Sequence, residues 1–162
     1  MKLHLHQLDV DSAFPYADLE EDVFMTPPPG LDVQEGFCLK LLKSLYGLKQ
    51  APRNWNKRIV DHIKSMGFKQ CVLDNCLFVK YINKEINLLS LYVDDILIAG
   101  SSLQEVERLK RKFTEQFEIK HLGELNYYLG MKLTRTDEFI KVDQSGYIRE
   151  ILEKIWSFVT WL

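Results

Sequence analysis

Two adjacent carboxylates, Asp94 and Asp95, stand inside an almost wholly apolar run at residues 88–100. Leucine, isoleucine, valine and tyrosine on both sides predict two buried strands with a tight turn near the acids. An ionised carboxylate against such a core is costly unless a cation compensates for it. Mg²⁺ is a suitable cation, because it prefers oxygen ligands and keeps positions open for phosphate oxygens. The alternative is a solvated turn in which the two acids only end the strands.

A third carboxylate, Asp9, lies near the end of a strand-like stretch at residues 3–10. If this strand neighbours the two around Asp94 and Asp95, three carboxylates converge at one edge of a sheet. Such a cluster can hold two divalent ions about 3.5–4 Å apart and support in-line phosphoryl or nucleotidyl transfer. The spacing therefore predicts a magnesium site formed by these three residues.

The elements that must position these acids follow from periodicity. Apolar residues recur at helical spacing from Trp55 to Met66, and again from Leu103 to Phe117 after a capping box at Ser102 and Glu105. Further segments are predicted as strands at 23–25, 37–42, 77–82, 86–93, 96–99, 125–133 and 139–142, a helical turn at 18–21, and a last helix that starts after 143–145. The predicted fold class is α+β, an antiparallel sheet with helices packed on one face.

Composition describes a globular chain with a polarised charge pattern. The 162 residues are 46% hydrophobic with a net charge of −2, enough for the core of one domain. Residues 9–35 hold eight acids and no base, whereas residues 40–69 hold eight bases and one acid. This asymmetry fits a metal-binding region beside a phosphate-binding surface, or two solvated faces of opposite sign.

The cysteines and the hydropathy restrict the setting. Cys38, Cys71 and Cys76 are odd in number and lack zinc-type spacing, which favours reduced thiols inside the cell. No apolar run approaches the ~20 residues that span a bilayer, so no membrane partner is expected.

Four stretches carry a family likeness: LDVDSAF at 8–14, SLYGLKQAPRNW at 44–55, YVDD at 92–95 and LGELNYYLG at 122–130. In this order they resemble the reverse transcriptase domain of copia-type LTR retrotransposon Pol polyproteins. The resemblance runs from about residue 8 to residue 155. The second stretch is highly specific for the family, whereas YVDD alone is only moderately so.

The resemblance implies an RNA-directed DNA polymerase of the palm type. Asp9, Asp94 and Asp95 would be its catalytic aspartates and, with Val10, would hold two Mg²⁺ ions, which Mn²⁺ can replace. The expected partners are an RNA or DNA template with its primer, and deoxynucleoside triphosphates. One ion would lower the pKa of the primer 3′-hydroxyl, and the other would hold the triphosphate.

The resemblance also assigns the substrate contacts. The backbone amides of Ser12 and Ala13 would face the triphosphate, and Phe14 would be a steric gate against a 2′-hydroxyl, the alternative being a plain core phenylalanine. Tyr46 would contact the nucleotide. Template and primer contacts fall on Gly47, Lys49, Arg53, Tyr92, Leu129, Gly130 and Met131. Lys120 occupies the place of a lysine that protonates pyrophosphate, the alternative being a solvated lysine.

Departures from the family pattern support a second hypothesis. Residues 1–155 are expected to form a partial palm domain without the N-terminal fingers segment, and residues 156–162 a divergent tail. Missing Pol segments or an oligomer would then be needed for activity. The rival is a catalytically incomplete remnant, located in the cytoplasm like the parent elements, that at most binds nucleic acid through Lys49, Arg53, Lys57 and Arg58. A magnesium-dependent nuclease or phosphatase leaves the motif at 47–55 unexplained.

Overall fold

The computed structural model describes residues 3–34, 36–82, 84–136 and 138–156. Its strands and helices are, in chain order, β1 (His4–Val10), β2 (Asp18–Met25), β3 (Leu39–Lys43), α1 (Ala51–Ser65), β4 (Lys69–Gln70), β5 (Leu77–Ile82), β6 (Glu85–Tyr92), β7 (Asp95–Gly100), α2 (Leu103–Thr114), β8 (Ile119–Glu124), β9 (Tyr127–Tyr128), β10 (Met131–Arg135), β11 (Ile140–Asp143) and α3 (Ser145–Trp156). A single 3₁₀ turn, Phe14–Tyr16, follows β1. The chain divides into two compact units, residues 1–122 and 123–162.

The principal sheet has six strands in the order β4-β5-β6-β7-β1-β8. The β5–β6 and β6–β7 pairs are antiparallel hairpins, and β1 pairs with β7 in antiparallel register from His4–Gly100 to Asp9–Asp95. Strands β2 and β3 form a separate antiparallel pair. The predicted mixture of antiparallel sheets and helices is therefore confirmed.

One face of the six-stranded sheet is covered by α1 and α2. Alternate residues of the central strands are buried there, because side chains of period two share a face. The core cluster contains Leu8, Phe78, Leu89, Ile96 and Ile98 from the strands, Trp55, Ile59 and Ile63 from α1, and Val106, Leu109 and Phe113 from α2. These helices show the predicted apolar stripes, and burial of the stripes against the sheet fixes both helices on that face.

The ends of both helices follow local rules. Pro52 lies in the first turn of α1, where its missing N–H is not needed. The Ser102 side chain caps α2 by accepting a hydrogen bond from the Glu105 N–H at 3.4 Å. The Glu105 carboxylate instead binds Arg108, at 2.7 Å to its Nε, so only one half of the predicted capping box is present in these contacts.

Two segments differ from the prediction. Residues 18–21, expected as a helical turn, belong to β2, because pairing with β3 outweighs the local preference of the acidic run. Residues 125–133, expected as one strand, are split into β9 and β10 by a turn at Leu129 and Gly130. Both turn residues have positive φ, 50° and 78°, which a continuous strand excludes.

The second unit consists of the three-stranded sheet β11-β10-β9 and helix α3. Strand β10 lies in the middle and pairs antiparallel with both neighbours. Residues 157–162 of the predicted divergent tail lie outside the described residues. None of the described helices is long and apolar enough to cross a membrane.

Candidate active site

The two adjacent carboxylates lie at the tip of the β6–β7 hairpin. Tyr92 pairs with Asp95, which leaves Val93 and Asp94 as a two-residue loop. Val93 has a φ of 55°, whereas the φ of Asp94 is not positive. This is the pattern of a type II′ turn, whose first central position favours glycine. Alternate residues of β6 are buried, and the buried residues of β7 begin at Ile96, so the two strands leave the loop and its acids at the tip of the hairpin.

Asp9 lies directly opposite Asp95 in the β1–β7 register. Residues directly opposite in an antiparallel pair place their side chains on the same face of the sheet. One residue further on, the Val10 N–H donates to the Asp94 carbonyl oxygen at 3.0 Å. The end of β1 is thus held against the hairpin, and the structure brings the three predicted aspartates together.

The electrostatics of Asp9 reflect this crowding. Partial burial raises the pKa of Asp9 above its ordinary value, and the negative charges of Asp94 and Asp95 raise it further. Lys120 acts in the opposite direction. Three carboxylates at this end of the sheet therefore repel one another, and a bound cation would relieve the repulsion.

A glutamine two residues before Asp9 orients one carboxylate. The Gln7 side-chain amide donates to Asp95 Oδ1 at 3.0 Å across β1 and β7. Gln7 and Asp9 share a strand face because they are two residues apart. Sequence analysis missed Gln7, although its spacing from Asp9 was a usable signal.

Lys120 of β8 forms an ion pair with Asp11, with Nζ 2.9 Å from Oδ2. This contact lowers the pKa of the Asp11 carboxyl and raises the pKa of the Lys120 ammonium. The Asp11 N–H also donates to the Glu118 carbonyl at 2.9 Å, which holds the two segments together. Lys120 is thus an exposed lysine that forms an ion pair with Asp11, and its role in protonating pyrophosphate stays a prediction.

The magnesium site stays a prediction. Among the residues that the structure describes, no group of three or more histidine, cysteine or acidic side chains is arranged to hold a metal ion. The cluster nevertheless offers hard carboxylate oxygens, and partial burial together with the neighbouring negative charges raises the pKa of Asp9. Mg²⁺ usually takes one or two carboxylates and completes its shell with water and substrate phosphates. The residues present fit such an ion.

Three of the four predicted nucleotide contacts, Ser12, Ala13 and Phe14, follow Asp9 closely in the sequence. Ser12 is exposed with a φ of 50°, and Ala13 is buried at the start of the 3₁₀ turn. The partly buried Phe14 ring contacts the exposed ring of Tyr46, with centroids 4.4 Å apart and planes tilted by 45°. The structure therefore joins two residues that lie far apart in the sequence.

The predicted template contacts Gly47, Lys49, Arg53 and Tyr92 are accessible to a ligand. Gly47 has a φ of 96° and no atom within 4 Å of the position of an added Cβ, so the backbone is open to a ligand. Lys49 and Arg53 are not buried, and neither has an ion-pair partner among the described residues. Tyr92, opposite Asp95, is 55% exposed.

Other bases of residues 40–69 are neutralised by the acidic stretch. Lys57 pairs with Glu20 at 2.9 Å, and Lys43 pairs with Asp18. Arg58 binds the Gln116 side chain at 3.1 Å and stacks on Phe117 at 5.4 Å. Ion pairs with the acidic stretch thus involve three of the eight bases, the third being Lys40 with Asp22 at 2.6 Å. Lys57 and Arg58 are poor candidates for phosphate contacts because they already have partners.

The predicted primer contacts Leu129, Gly130 and Met131 lie in the second unit. Leu129 and Gly130 form the turn between β9 and β10, and Met131 begins β10 opposite Tyr128. Two consecutive positive φ values between paired strands are the pattern of a type I′ hairpin turn.

Clustered aspartates on a hairpin of an antiparallel sheet, together with an aromatic pair and exposed lysine and arginine side chains, are typical of the nucleic-acid polymerases. Comparison with known proteins agrees with this class. A family model described as "Reverse transcriptase (RNA-dependent DNA polymerase)" matches residues 1–157. The chain therefore belongs to the reverse transcriptase family, and the predicted resemblance is confirmed.

The relatives are transposon polyproteins. The chain is 38% identical to the retrovirus-related Pol polyprotein from transposon TNT 1-94 of Nicotiana tabacum, over 95% of this chain and 12% of that protein. It is 36% identical to the corresponding polyprotein from transposon RE1 of Arabidopsis thaliana, over 93% of this chain and 10% of that protein. It is 32% identical to the transposon Ty1-BL Gag-Pol polyprotein of Saccharomyces cerevisiae, over 94% and 9% respectively. The chain spans about a tenth of the length of these relatives.

Proposed function

We propose that this chain is the palm part of a copia-type reverse transcriptase, which adds deoxynucleotides to a primer 3′-hydroxyl as an RNA or DNA template directs. The observation that carries the proposal is the register of β1 against β7, which sets Asp9 opposite Asp95 and beside Asp94. Neither strand alone contains the site. Membership of the family supplies the reaction class.

The carboxylates act in the proposal as ligands for two divalent ions, Mg²⁺ or Mn²⁺. When bound, such ions supply activation of the 3′-hydroxyl and neutralisation of charge on the triphosphate. Asp9 and Asp94 would contribute to both ions, with Asp95 and the Val10 backbone completing the protein's share. The hydrogen bond from Gln7 holds the Asp95 carboxylate in one orientation, so less reorganisation is needed on binding.

The ring pair would form the wall of the deoxynucleotide site. Phe14 is only partly buried, so part of its ring is available to a sugar, and Tyr46 packs against it. A flat ring at this place excludes a 2′-hydroxyl by steric contact. The N–H groups of Ser12 and Ala13 would bind triphosphate oxygens, since consecutive backbone donors in a tight turn form an anion site.

Template binding would depend on the accessible cations. Lys49 and Arg53 are exposed and form no ion pair among the described residues, although the Arg53 charge lies close enough to Glu20 to lower the pKa of that carboxyl. Both can therefore bind phosphates without breaking an existing ion pair. Such contacts read no sequence, which suits an enzyme that copies any template. Tyr92 and the turn at 129–131 would contact the primer.

A second function is a catalytically incomplete domain that binds nucleic acid only. The exposed side chains of Lys49 and Arg53, which form no ion pair among the described residues, favour nucleic-acid binding. Single charge-stabilising donors of the kind that a polymerase uses are worth ~10²–10³ in rate. Contacts made by other parts of such a polyprotein would then be needed for measurable activity.

Primer extension separates the two functions. The purified chain is supplied with a primed poly(A) template and deoxythymidine triphosphate, in Mg²⁺ and in Mn²⁺, beside Asp94→Asn. Asp61→Asn, an exposed carboxylate on α1, is the matched control. Extension by the wild type and the control but not by Asp94→Asn supports the polymerase. Extension that survives in Asp94→Asn would refute the assigned site, and no extension from a folded chain that binds the duplex would favour the binding function.

A further inference from the structure

A buried tryptophan on α1 is bonded to the hairpin that carries the aspartates. The Trp55 Nε1–H donates to the Val93 carbonyl oxygen at 2.8 Å, although the residues are 38 positions apart. Trp55 is 1% exposed, so its indole is part of the core and its N–H points out of the helix to the turn. Helical periodicity marks this residue as core and gives no hint of the bond.

The turn that accepts this bond is strained. Val93 has a φ of 55°, in the left-handed region. That region is unfavourable for a residue with Cβ, and a β-branched side chain makes it a genuine outlier. Strained conformations of this kind persist only where surrounding contacts determine them. The Trp55 hydrogen bond fixes the peptide group between Val93 and Asp94, which makes it such a contact.

Two neighbouring rings hold the tryptophan itself. The Phe117 ring meets the Trp55 ring edge-on, with centroids 5.4 Å apart, and the Tyr16 ring lies 6.2 Å away. The Tyr16 hydroxyl accepts a hydrogen bond from the Glu118 N–H at 2.8 Å. The Trp55 indole is therefore held in position by Tyr16 and Phe117, which lie in the segments that follow β1 and α2, as well as by its hydrogen bond to the turn.

We propose that Trp55 is a positioning residue, which holds the Val93 turn so that Asp94 and Asp95 face Asp9. The Asp94 carbonyl, which accepts the hydrogen bond from the Val10 N–H, belongs to the next peptide group along the chain. A displacement of the peptide group that Trp55 holds would therefore also disturb the Val10 hydrogen bond. The inference rests on the proposed function in one respect, namely that the carboxylates bind divalent ions. The bracing itself is a property of the fold and can be measured without catalysis.

Hydrogen exchange of the Val10 amide tests the bracing. Trp55→Phe keeps an aromatic ring and removes the donor. One hydrogen bond of ordinary net strength corresponds to roughly three- to tenfold in an opening equilibrium. We expect Val10 to exchange faster by about that factor relative to Ile63, which is fully buried in α1 and reports wider unfolding. Phe117→Leu is the packing control, since it loosens the same ring cluster and leaves the indole N–H in place.

A second substitution makes the test specific for strain. Glycine adopts a positive φ without the Cβ penalty, so Val93→Gly lets the turn form with less support. In the Val93→Gly background, Trp55→Phe should change the Val10-to-Ile63 exchange ratio by less than about twofold, against the roughly three- to tenfold of one hydrogen bond. An equal effect in both backgrounds, or an equal ratio change in Phe117→Leu, would overturn the proposal, because the tryptophan would then act through packing alone.

Manganese affinity, measured by electron paramagnetic resonance with Mn²⁺ alone, links the brace to the carboxylates. Trp55→Phe should weaken binding by about the factor seen in exchange, and the added Val93→Gly should restore it. Faster Val10 exchange with unchanged Mn²⁺ affinity would refute the positioning role. If the wild type binds no Mn²⁺ while Trp55→Phe still speeds Val10 exchange, the bracing by Trp55 is supported and the metal site of the proposed function is refuted.

Discussion

Asp9 and Asp95 are the last pair in the β1–β7 register, two acids directly opposite each other on one face of an antiparallel sheet. Like charges in this position are destabilising. Burial and the charges of Asp94 and Asp95 accordingly raise the pKa of Asp9. A fold that keeps such a pair gives up stability at this edge, which is expected where the charges bind a ligand.

Asp9→Asn should stabilise the metal-free chain at neutral pH. A carboxyl whose pKa is raised on folding penalises the folded state at all pH values above that raised pKa. The penalty disappears as the pH falls below the ordinary value of 3.8, where both states are protonated. We expect a gain of at most about 1 kcal/mol in urea unfolding at neutral pH, because solvent screens the charge of a carboxyl that is only partly buried. The gain should shrink toward zero in acid.

The control for this prediction is Asp61→Asn, which should stay within about 0.5 kcal/mol of the wild type. Saturating Mg²⁺ should stabilise the wild type more than Asp9→Asn, because only ligands that bind the folded state shift unfolding. A pH-independent gain would mean that Asp9 is not repelled by its neighbours.

Phe14→Ala should relax sugar selection in any form of the chain that incorporates nucleotides. Removing the ring opens the space for a 2′-hydroxyl, and one group in a pocket is worth about 10–200-fold in discrimination. The ratio of deoxynucleotide to ribonucleotide incorporation efficiency measures it. Tyr46→Ala should give a smaller relaxation in the same direction, since Tyr46 packs against Phe14. Phe37→Ala, an exposed ring, is the control, and unchanged selection in Phe14→Ala would return Phe14 to a core role.

Lys49→Ala and Arg53→Ala should each reduce the salt dependence of binding to an RNA–DNA duplex. Each phosphate contact adds about one unit to the slope of log K against log salt concentration. Lys57→Ala should leave the slope nearly unchanged, because Glu20 already occupies that ammonium at 2.9 Å. Equal losses at all three positions would indicate a diffuse basic field rather than two specific contacts.

Gly100→Ala should destabilise the first unit. A Cβ at Gly100 would lie 2.7 Å from Asn87 Oδ1 and 2.9 Å from Val106 Cγ2, closer than such contacts allow. Overpacking of this kind costs about 1–3 kcal/mol, which urea unfolding would detect. Gly146→Ala in α3 meets no atom within 4 Å and should be neutral or stabilising. A neutral Gly100→Ala would mean that α2 shifts freely on the sheet.

The sequence alone determined the local elements and the likeness to the family. A strand-like stretch at 3–10 located β1, and an apolar run at 88–100 located the end of β6 and β7, with Asp9 near the end of the first and Asp94 and Asp95 inside the second. Helical periodicity located α1 and α2, and the motif at 44–55 named the family. These signals are readable because burial of one face imposes a period on the residues that form it.

The tertiary structure alone decided which of these residues meet. The pairing of β1 with β7, the ion pair between Lys57 and Glu20, and the bond from Trp55 to Val93 join residues 37 to 88 positions apart. It also made a strand of residues 18–21, where the acidic run favoured a turn, because pairing with β3 was available. The local sequence pattern does not determine such contacts, because they depend on the order of strands in the sheet and on the packing of helices over it.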